Sequence, residues 1–196
     1  MKSSSRIILA ITGASGAIYG RRCLEALNEV GAEVYLVVSK AAELTLNYEL
    51  GARAGELETL ATARYSASDI GAPISSGSFK TDGMIIAPCS VRTMSEIATG
   101  VTSGLISRAA DVVLKERRKL VLLVRETPFH LGHLRTMTLL TEMGAIIAPP
   151  LPSFYIEPKS VDELVDQSVG RALDLFGIGW SGTKRWGEDL EKGARK

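Results

Sequence analysis

The stretch RIILAITGASGAIYG, residues 6–20, predicts a buried strand, a glycine-containing turn and the start of a helix. The same alternation recurs along the chain, and residues 53–62 and 161–175 add helical patterns. Strands without a polar face that alternate with helices are typical of a mostly parallel sheet covered on both sides. We therefore predict a three-layer α/β/α fold. Its further strands are EVYLVV at 33–38, GMIIA at 83–87, KLVLLV at 119–124 and AIIA at 145–148.

The length of 196 residues fits one domain, on a prior of about 150 residues per domain. We predict a single domain over residues 1–178. Residues 179–196 mix Lys, Arg, Glu and Gly without a period, which indicates a peripheral C-terminal extension.

Charge and composition exclude several classes of partner. With 23 Lys and Arg against 22 Asp and Glu, the net charge of +1 indicates neither nucleic acid nor an anionic membrane as partner. No apolar run approaches the roughly 20 residues of a membrane span, and the first strand is too short for a signal peptide. Cys23 and Cys89 are too few for a disulfide framework. We expect a cytoplasmic protein.

Polar residues follow the predicted strands where parallel strands end. Ser15 follows the first strand, Ser39 the second, PCSVRT (88–93) the third, and Arg125 and Glu126 the fourth. Ligands of open parallel sheets bind outside these carboxyl ends. Hydroxyls, glycine amides at a helix N-terminus and a guanidinium can hold a phosphate monoester without a metal. A single serine here is more typical of a helix cap, but four such strand ends favour a phosphate-bearing cofactor.

The predicted cofactor is a mononucleotide such as FMN rather than NAD. The glycines of GASGAIYG (13–20) lack the G-x-G-x-x-G spacing, and no acid follows the second strand. Tyr155 and Lys159 have the spacing of short-chain dehydrogenases, but Pro158 disfavours the helix that this pair needs.

Metal and thiol chemistry receive little support from the sequence. His130 and His133 are three residues apart but have no third ligand beside them, so we predict no bound metal. Cys89 has no accompanying histidine motif and is predicted to be a packed thiol.

Six motifs together resemble those of the flavin prenyltransferases, the UbiX-like proteins. The resemblance runs from residue 7 to residue 178, nearly the whole chain. The motifs are TGASGA at 12–17 with YG at 19–20, ISSGSFKTDGM at 74–84, APCS at 87–90, RAADVVLKE at 108–116, RETP at 125–128 and PSFY at 152–155.

This resemblance implies a flavodoxin-like, Rossmann-like fold and a homododecamer. It implies transfer of a dimethylallyl group from dimethylallyl phosphate to N5 and C6 of reduced FMN. The prenylated FMN would then serve a separate UbiD-like decarboxylase. The residues agree with a metal-independent reaction on a monophosphate, because the chain has no Asp-Asp pair of the kind that holds magnesium diphosphate. The choice between a monophosphate and a diphosphate donor stays open.

The resemblance also implies roles for individual residues. The catalytic residues are Ser15, Glu49 and Glu126, with Glu49 at the position of an acidic residue near the flavin. Ring closure needs a proton removed by a carboxylate or by the phosphate itself, and we take Glu49 as the candidate base and Ser15 as the residue that positions the flavin N5 edge. Tyr155 and Arg171 match the positions that hold the prenyl phosphate. Arg108, Lys115 and Glu126 match further active-site positions, some reached across a subunit boundary, and Ser76 lies in the serine-glycine turn of the family and is also expected to bind substrate. The FMN contacts are Gly13, Ala14, Ser15, Ser39, Ser90, Val91, Arg92, Thr93 and Arg125.

Two other functions stay open. FMN-dependent cysteine decarboxylases share the architecture, but their turn Pro-Ala-Ser-Ala-Asn-Thr has an asparagine where this chain has Arg92, which disfavours that chemistry. A non-catalytic carrier of modified flavin is the second alternative, although a carrier would not need Glu49 and a full cationic pocket.

Overall fold

The computed structural model describes residues 4–189 and contains one six-stranded parallel sheet. The strands are β1 (Arg6–Ile11), β2 (Glu33–Val38), β3 (Ala63–Ser66), β4 (Gly83–Cys89), β5 (Lys119–Val124) and β6 (Ala145–Ile147). The helices are α1 (Ala17–Glu29), α2 (Lys40–Leu50), α3 (Ala54–Leu57), α4 (Val91–Thr99), α5 (Leu105–Lys115), α6 (Leu131–Glu142) and α7 (Val161–Asp174). Short 3-10 helices span Glu58–Leu60, Pro73–Ser75 and Phe154–Ile156.

The strand order is β3-β2-β1-β4-β5-β6, and every neighbouring pair is parallel. This confirms the predicted three-layer α/β/α fold. Among residues 4–189, no helix is both long enough and apolar enough to cross a bilayer.

The prediction of five strands was wrong by one. Residues 53–62 do form short helical turns, at α3 and the 3-10 helix after it, but β3 follows them at the sheet edge. Its sequence ARYS carries one charge and two hydroxyl groups, and its residues are half-buried or exposed. An edge strand of this kind lacks the apolar run by which the central strands were recognised.

The two faces of the sheet carry separate apolar cores. On β1, Ile7, Leu9 and Ile11 pack with residues of α1, α2 and α7. Ile8 and Ala10 point to the opposite face, into the core formed with α4, α5 and α6. Because both faces are covered, the central strands are apolar at nearly every position.

The order of the strands determines where a ligand can enter. From β1 the chain proceeds outward to β2, whereas from β4, which also neighbours β1, it proceeds the other way to β5. The loops after β1 and β4 therefore diverge and leave a crevice at the carboxyl ends.

The described part of the C-terminal extension packs against α1 and α7. Trp180 is only 5% exposed, and its indole Nε1 donates to Glu29 Oε2 at 2.6 Å. The guanidinium of Arg22 lies over its ring, 4.7 Å from the centroid. Trp186 remains exposed. Residues 190–196 of the predicted extension lie outside the described residues.

Gly20 brings α1 close to the sheet, and this contact yields a stability prediction. A Cβ at Gly20 would lie 2.3 Å from the carbonyl oxygen of Ala87 and 2.9 Å from Cδ1 of Ile11. We expect Gly20→Ala to lower the free energy of unfolding by about 1–3 kcal/mol, because the backbone carbonyl cannot move aside as a side chain would. Urea denaturation measures the change.

The matched control is Gly55→Ala in α3, where an added Cβ meets nothing within 4 Å. This variant should unfold at the wild-type urea concentration or slightly above it. Equal midpoints for both alanine variants would contradict the close contact between α1 and the sheet.

Candidate active site

A cavity of about 700 Å³ lies at the carboxyl ends of β1, β2, β4 and β5, within the size range of cofactor sites. Its walls come from the turn after β1, the first turn of α2, the loop after β4 and the segment after β5. The structure brings together there all the residues predicted to contact FMN, together with Glu126. They are Gly13, Ala14, Ser15, Ser39, Ser90, Val91, Arg92, Thr93, Arg125 and Glu126.

Four helices begin at this cavity: α1, α2, α4 and α5. Ser15 lies just before α1, Ser39 and Ser90 are the N-caps of α2 and α4, and Gly104 precedes α5. A helix N-terminus presents free backbone N–H groups and the positive end of the helix dipole. At α1 the carboxylate of Glu49 occupies the N–H groups of Gly16 and Ala17. The N-termini of α2, α4 and α5 therefore create the site for an anion, above all for a phosphate.

The two cap serines serve the helices and still face the cavity. Ser39 Oγ accepts from the N–H of Ala42 at 3.1 Å, and Ser90 Oγ accepts from the N–H of Thr93 at 3.3 Å. The Ser90 hydroxyl donates to Thr93 Oγ1, 3.1 Å away. The Ser39 proton finds no acceptor among residues 4–189, so it is available to a ligand.

Arg125 is well placed to bind an anion, and Lys40 also lines the cavity. Arg92 also lines the cavity, but it pairs with Glu96 at 2.9 Å and its side chain is 83% exposed. Within residues 4–189, Arg125 forms no ion pair with a carboxylate. The Arg125 charge lies near Tyr19. Burial raises the pKa of the Tyr19 phenol above its usual value, and the positive charge of Arg125 offsets part of this rise.

Gly13 allows the turn after β1 to lie against α2. A Cβ at this position would lie 2.3 Å from the Cβ of Ala41. Only a residue without a side chain lets residues 13–15 approach the first turn of α2 so closely. The glycine thus keeps Ser15 and Ser39 on one cavity wall.

Thr12 joins the loops after β1 and β4 and was missed as a functional residue from the sequence. It is 1% exposed. Its hydroxyl donates to the carbonyl of Pro88 at 2.7 Å and accepts from the N–H of Ser90 at 2.8 Å. A hydroxyl that ends an apolar strand was the available signal, since a buried polar group needs partners.

Glu49 lies behind the turn rather than in the cavity wall. Its carboxylate accepts from the N–H of Gly16 at 2.9 Å and 3.2 Å and from the N–H of Ala17 at 2.8 Å. The side chain therefore occupies the N-terminal donors of α1, next to Ser15. Its role as a base stays a prediction, and the structure adds a role in shaping the turn.

Tyr155 and Arg171 line a second cavity of about 520 Å³, which shares no lining residue with the first. The other residues of its wall come from the C-terminal extension: Lys184, Arg185, Trp186 and Glu188. Within one chain, the residues predicted for the prenyl phosphate therefore do not meet the residues predicted for FMN.

The remaining predicted substrate residues are also dispersed. Arg108 lies in the first turn of α5, beside cavity-lining Ser107, and pairs with Asp111 at 2.8 Å. Lys115 ends α5 at the amino ends of the strands and pairs with Glu116. Ser76 lies near this pair, since a Cβ on adjacent Gly77 would touch both side chains. Ser76 and Lys115 thus lie at the amino ends of the strands, whereas the cavity lies at the carboxyl ends.

Some lining residues had no sequence signal. Ala67 and Ser68 reach the cavity because they follow β3, the strand that was not predicted. Ser103, Gly104 and Ser107 enter it from the start of α5, whose polar residues follow no strand.

The thiol and histidine predictions correspond to packed or capping groups. Cys89 is the last residue of β4, and burial raises the pKa of its thiol to about 12. His130 caps α6, with Nδ1 accepting from the N–H of His133 at 3.3 Å.

The chain is similar in sequence to known proteins over most of its length. The chain matches the Flavoprotein family over residues 1–173. It is 51% identical over 187 residues to the flavin prenyltransferase UbiX of Thauera aromatica, covering 95% of this chain and 96% of the relative.

Two solved structures are similar over nearly the whole chain. One is AnUbiX (PadA1) in complex with FMN and dimethylallyl pyrophosphate, with a TM-score of 0.93, 48% identity and 96% and 100% of the two chains covered. The other is a dodecameric FMN-dependent UbiX-like decarboxylase from Escherichia coli O157:H7, with a TM-score of 0.90, 46% identity and 92% and 98% covered.

The Thr12 bridge can be tested by Thr12→Val, which preserves shape but removes the hydroxyl. Two buried partners, the Pro88 carbonyl and the Ser90 N–H, then lose a hydrogen bond, so we expect a loss of about 1–3 kcal/mol in unfolding free energy. FMN affinity, measured by fluorescence quenching, should fall as well because the loop after β4 loosens.

The control is Thr138→Val, whose hydroxyl bonds only the Leu134 carbonyl within the exposed side of α6. It should leave both stability and FMN affinity near wild type. A Thr12→Val protein that also retains both would show that the bridge does not organise the cavity.

Proposed function

The chain belongs to the UbiX-like flavin prenyltransferases of the Flavoprotein family, and we propose that it transfers a dimethylallyl group from dimethylallyl phosphate to reduced FMN. The observation that carries this proposal is the convergence of Arg125 and the N-termini of α2, α4 and α5 on one cavity. A flavin mononucleotide has one phosphate for that cationic edge and one ring system for the rest of the space.

The proposed reaction forms two bonds, to N5 and to C6 of the flavin, each replacing a hydrogen. The allylic C–O bond breaks, and its electron pair leaves with the phosphate. Of the two protons released from the flavin, one goes to the central carbon of the allyl group and the other to the departing phosphate. The protein must therefore stabilise phosphate charge and guide protons.

The residues proposed for the departing phosphate are Tyr155 and Arg171, and the further residues proposed to bind the substrate are Ser76, Arg108 and Lys115. Their guanidinium, ammonium and hydroxyl groups are donors suited to developing charge on phosphate oxygens. Because they lie apart within one chain, we propose that neighbouring copies complete each site. The dodecameric assembly of the similar Escherichia coli structure supports a homo-oligomer, and we propose a homododecamer.

Three side chains are proposed for the flavin end of the reaction. Ser15 lines the cavity after β1 and would position the N5 edge. Glu49 lies behind that turn, with a carboxylate able to accept a proton. Glu126 lines the cavity and is held through the N–H of Thr127, which donates to its Oε1 at 2.8 Å.

The product would be prenylated FMN, and we propose a UbiD-like decarboxylase as its recipient. The cytoplasmic location remains the prediction made from composition.

The direct test is an anaerobic assay with purified protein, reduced FMN and dimethylallyl phosphate. We expect a flavin heavier by one C₅H₈ unit, together with one phosphate per flavin converted, and an unchanged rate in the presence of a metal chelator. Replacing the donor by dimethylallyl diphosphate measures donor preference.

Other outcomes would redirect the proposal. Tight flavin binding without product would indicate a carrier. Oxidative decarboxylation of a peptide with a C-terminal cysteine would indicate the cysteine-decarboxylase reaction. Either result without prenylated flavin would overturn the proposed transferase.

We expect Arg125→Ala to weaken FMN binding by about 1.5–3 kcal/mol, the usual worth of a hydrogen bond to a charged group. The control is Arg21→Ala, which removes one positive charge from the exposed side of α1, where it pairs with Glu25. Calorimetric titration with FMN compares the two. Equal FMN affinity in both variants would show that Arg125 does not bind the phosphate of FMN.

We expect Glu49→Gln to retain FMN and to lower turnover by roughly 10²–10⁴-fold. The amide oxygen can still accept from the N–H groups of Gly16 and Ala17, but the side chain can no longer take up a proton. Glu56→Gln, at an exposed position in α3, is the matched control. Normal turnover of the Glu49→Gln protein would place the base elsewhere.

A further inference from the structure

Gln167, in the middle of α7, is a buried amide at the second cavity to which no role has been assigned. It is 1% exposed, although α7 otherwise buries apolar and small residues. Its side chain lies between Tyr155, on the 3-10 helix after β6, and Lys184, in the C-terminal extension. The amide thus connects the two parts of the cavity wall.

Both ends of the amide are engaged. Nε2 donates to the Tyr155 hydroxyl oxygen at 3.0 Å and to the Lys184 carbonyl at 2.9 Å. Oε1 accepts from the N–H of Lys184 at 3.1 Å. The backbone of Lys184 determines the orientation, since its carbonyl must face the NH₂ group and its N–H must face the oxygen.

This orientation determines what Tyr155 can offer a ligand. Because the Tyr155 oxygen accepts from Gln167, its own proton is not used in that bond. The phenol is therefore a donor, directed toward a cavity that also contains Arg171, Lys184 and Arg185. A hydroxyl donor among three cations suits the oxygens of a phosphate.

The same amide fastens the C-terminal extension onto α7. The extension crosses α7 at Gly170, where a Cβ would lie 1.4 Å from Thr183 Oγ1. Beyond Lys184, the Trp186 ring meets the Tyr155 ring edge to face, with centroids 5.7 Å apart. Without the Gln167 bonds, Lys184 and Trp186 would lose their attachment at this point.

The two arginines of the cavity are tied together as well. Asp174 accepts from Arg171 at 2.9 Å and from Arg185 at 2.5 Å. One carboxylate therefore holds an arginine of α7 beside an arginine of the extension. Among the residues that line the cavity, the three cations Arg171, Lys184 and Arg185 stand against the one carboxylate of Glu188.

We propose that Gln167 is a positioning residue of the prenyl-phosphate site: it directs the Tyr155 proton into the cavity and holds the segment 183–186 as its wall. This inference rests on the proposed function, because it takes the allyl phosphate as the ligand of this cavity.

The test compares Gln167→Glu, Tyr155→Phe and the double variant. Glutamate has nearly the shape of glutamine, but as a carboxylate it has no N–H and accepts the Tyr155 proton. We expect Gln167→Glu to weaken dimethylallyl phosphate binding roughly 10- to 100-fold, with FMN affinity unchanged. In the Tyr155→Phe background the same substitution should have a smaller effect, because the proton it redirects is already absent and only the bond to the Lys184 carbonyl is lost.

Binding is measured by calorimetry on the protein loaded with oxidised FMN, so that no turnover is needed. The KM for dimethylallyl phosphate and kcat are then measured with reduced FMN, and KM should carry most of the change. Ser168→Ala, which removes a hydroxyl bonded only to the Leu164 carbonyl, is the control for disturbance of α7.

The outcomes separate this inference from the proposed function. Wild-type protein that binds dimethylallyl phosphate but forms no prenylated flavin would refute the function and leave the Gln167 comparison valid. The role of Gln167 would be overturned by equal weakening in the wild-type and Tyr155→Phe backgrounds, by a parallel loss of FMN, or by no binding to the wild type. Gln167→Leu removes all three hydrogen bonds of the side-chain amide. This variant should detach Trp186 from the cavity wall and shift its fluorescence to longer wavelength.

Discussion

The positive ends of four helices meet at one edge of a parallel sheet, and the site depends on that convergence. Strands β1, β2 and β4 end there, so the helices α1, α2 and α4 that follow them begin there, and α5 begins at the same edge after α4. At β1 and β4 the chain turns in opposite directions, which opens the space between the loops. Arg125 adds a full charge that no carboxylate within residues 4–189 neutralises. An anion bound there replaces water at donors that are already oriented.

Short polar contacts keep this edge in shape. Thr12 ties the loop after β1 to the loop after β4, and Gly13 lets the first turn lie against α2. Glu49 takes the first N–H groups of α1, so the remaining helix ends provide the free donors. Polar contacts also shape the second cavity. Gln167 holds Tyr155 beside Lys184 of the extension. Asp174 holds Arg171 beside Arg185 of the extension.

Much of the first cavity could be predicted because its residues follow strands directly. A short apolar run marks a strand, and the sheet brings all strand ends to one edge. The edge strand β3 was not predicted because its sequence ARYS has no apolar run. For the same reason Ala67 and Ser68, which follow β3, were not predicted to line the cavity. The position of Tyr155 and Arg171 was not predictable, since it depends on how the extension crosses α7 at Gly170. Gln167 and Lys184 are 17 residues apart in the sequence, and no pattern in the sequence predicts the hydrogen bonds between them.

We propose that the edge of the sheet formed by the helix N-termini and Arg125 binds the phosphate of FMN. The most direct measurement compares the affinities of FMN and riboflavin for the wild-type protein, because the two differ only in that phosphate. We expect FMN to bind at least about 100-fold more tightly than riboflavin, corresponding to roughly 3 kcal/mol from charge-assisted hydrogen bonds, and added salt to reduce this difference in affinity. Equal affinities for the two flavins would contradict this proposal.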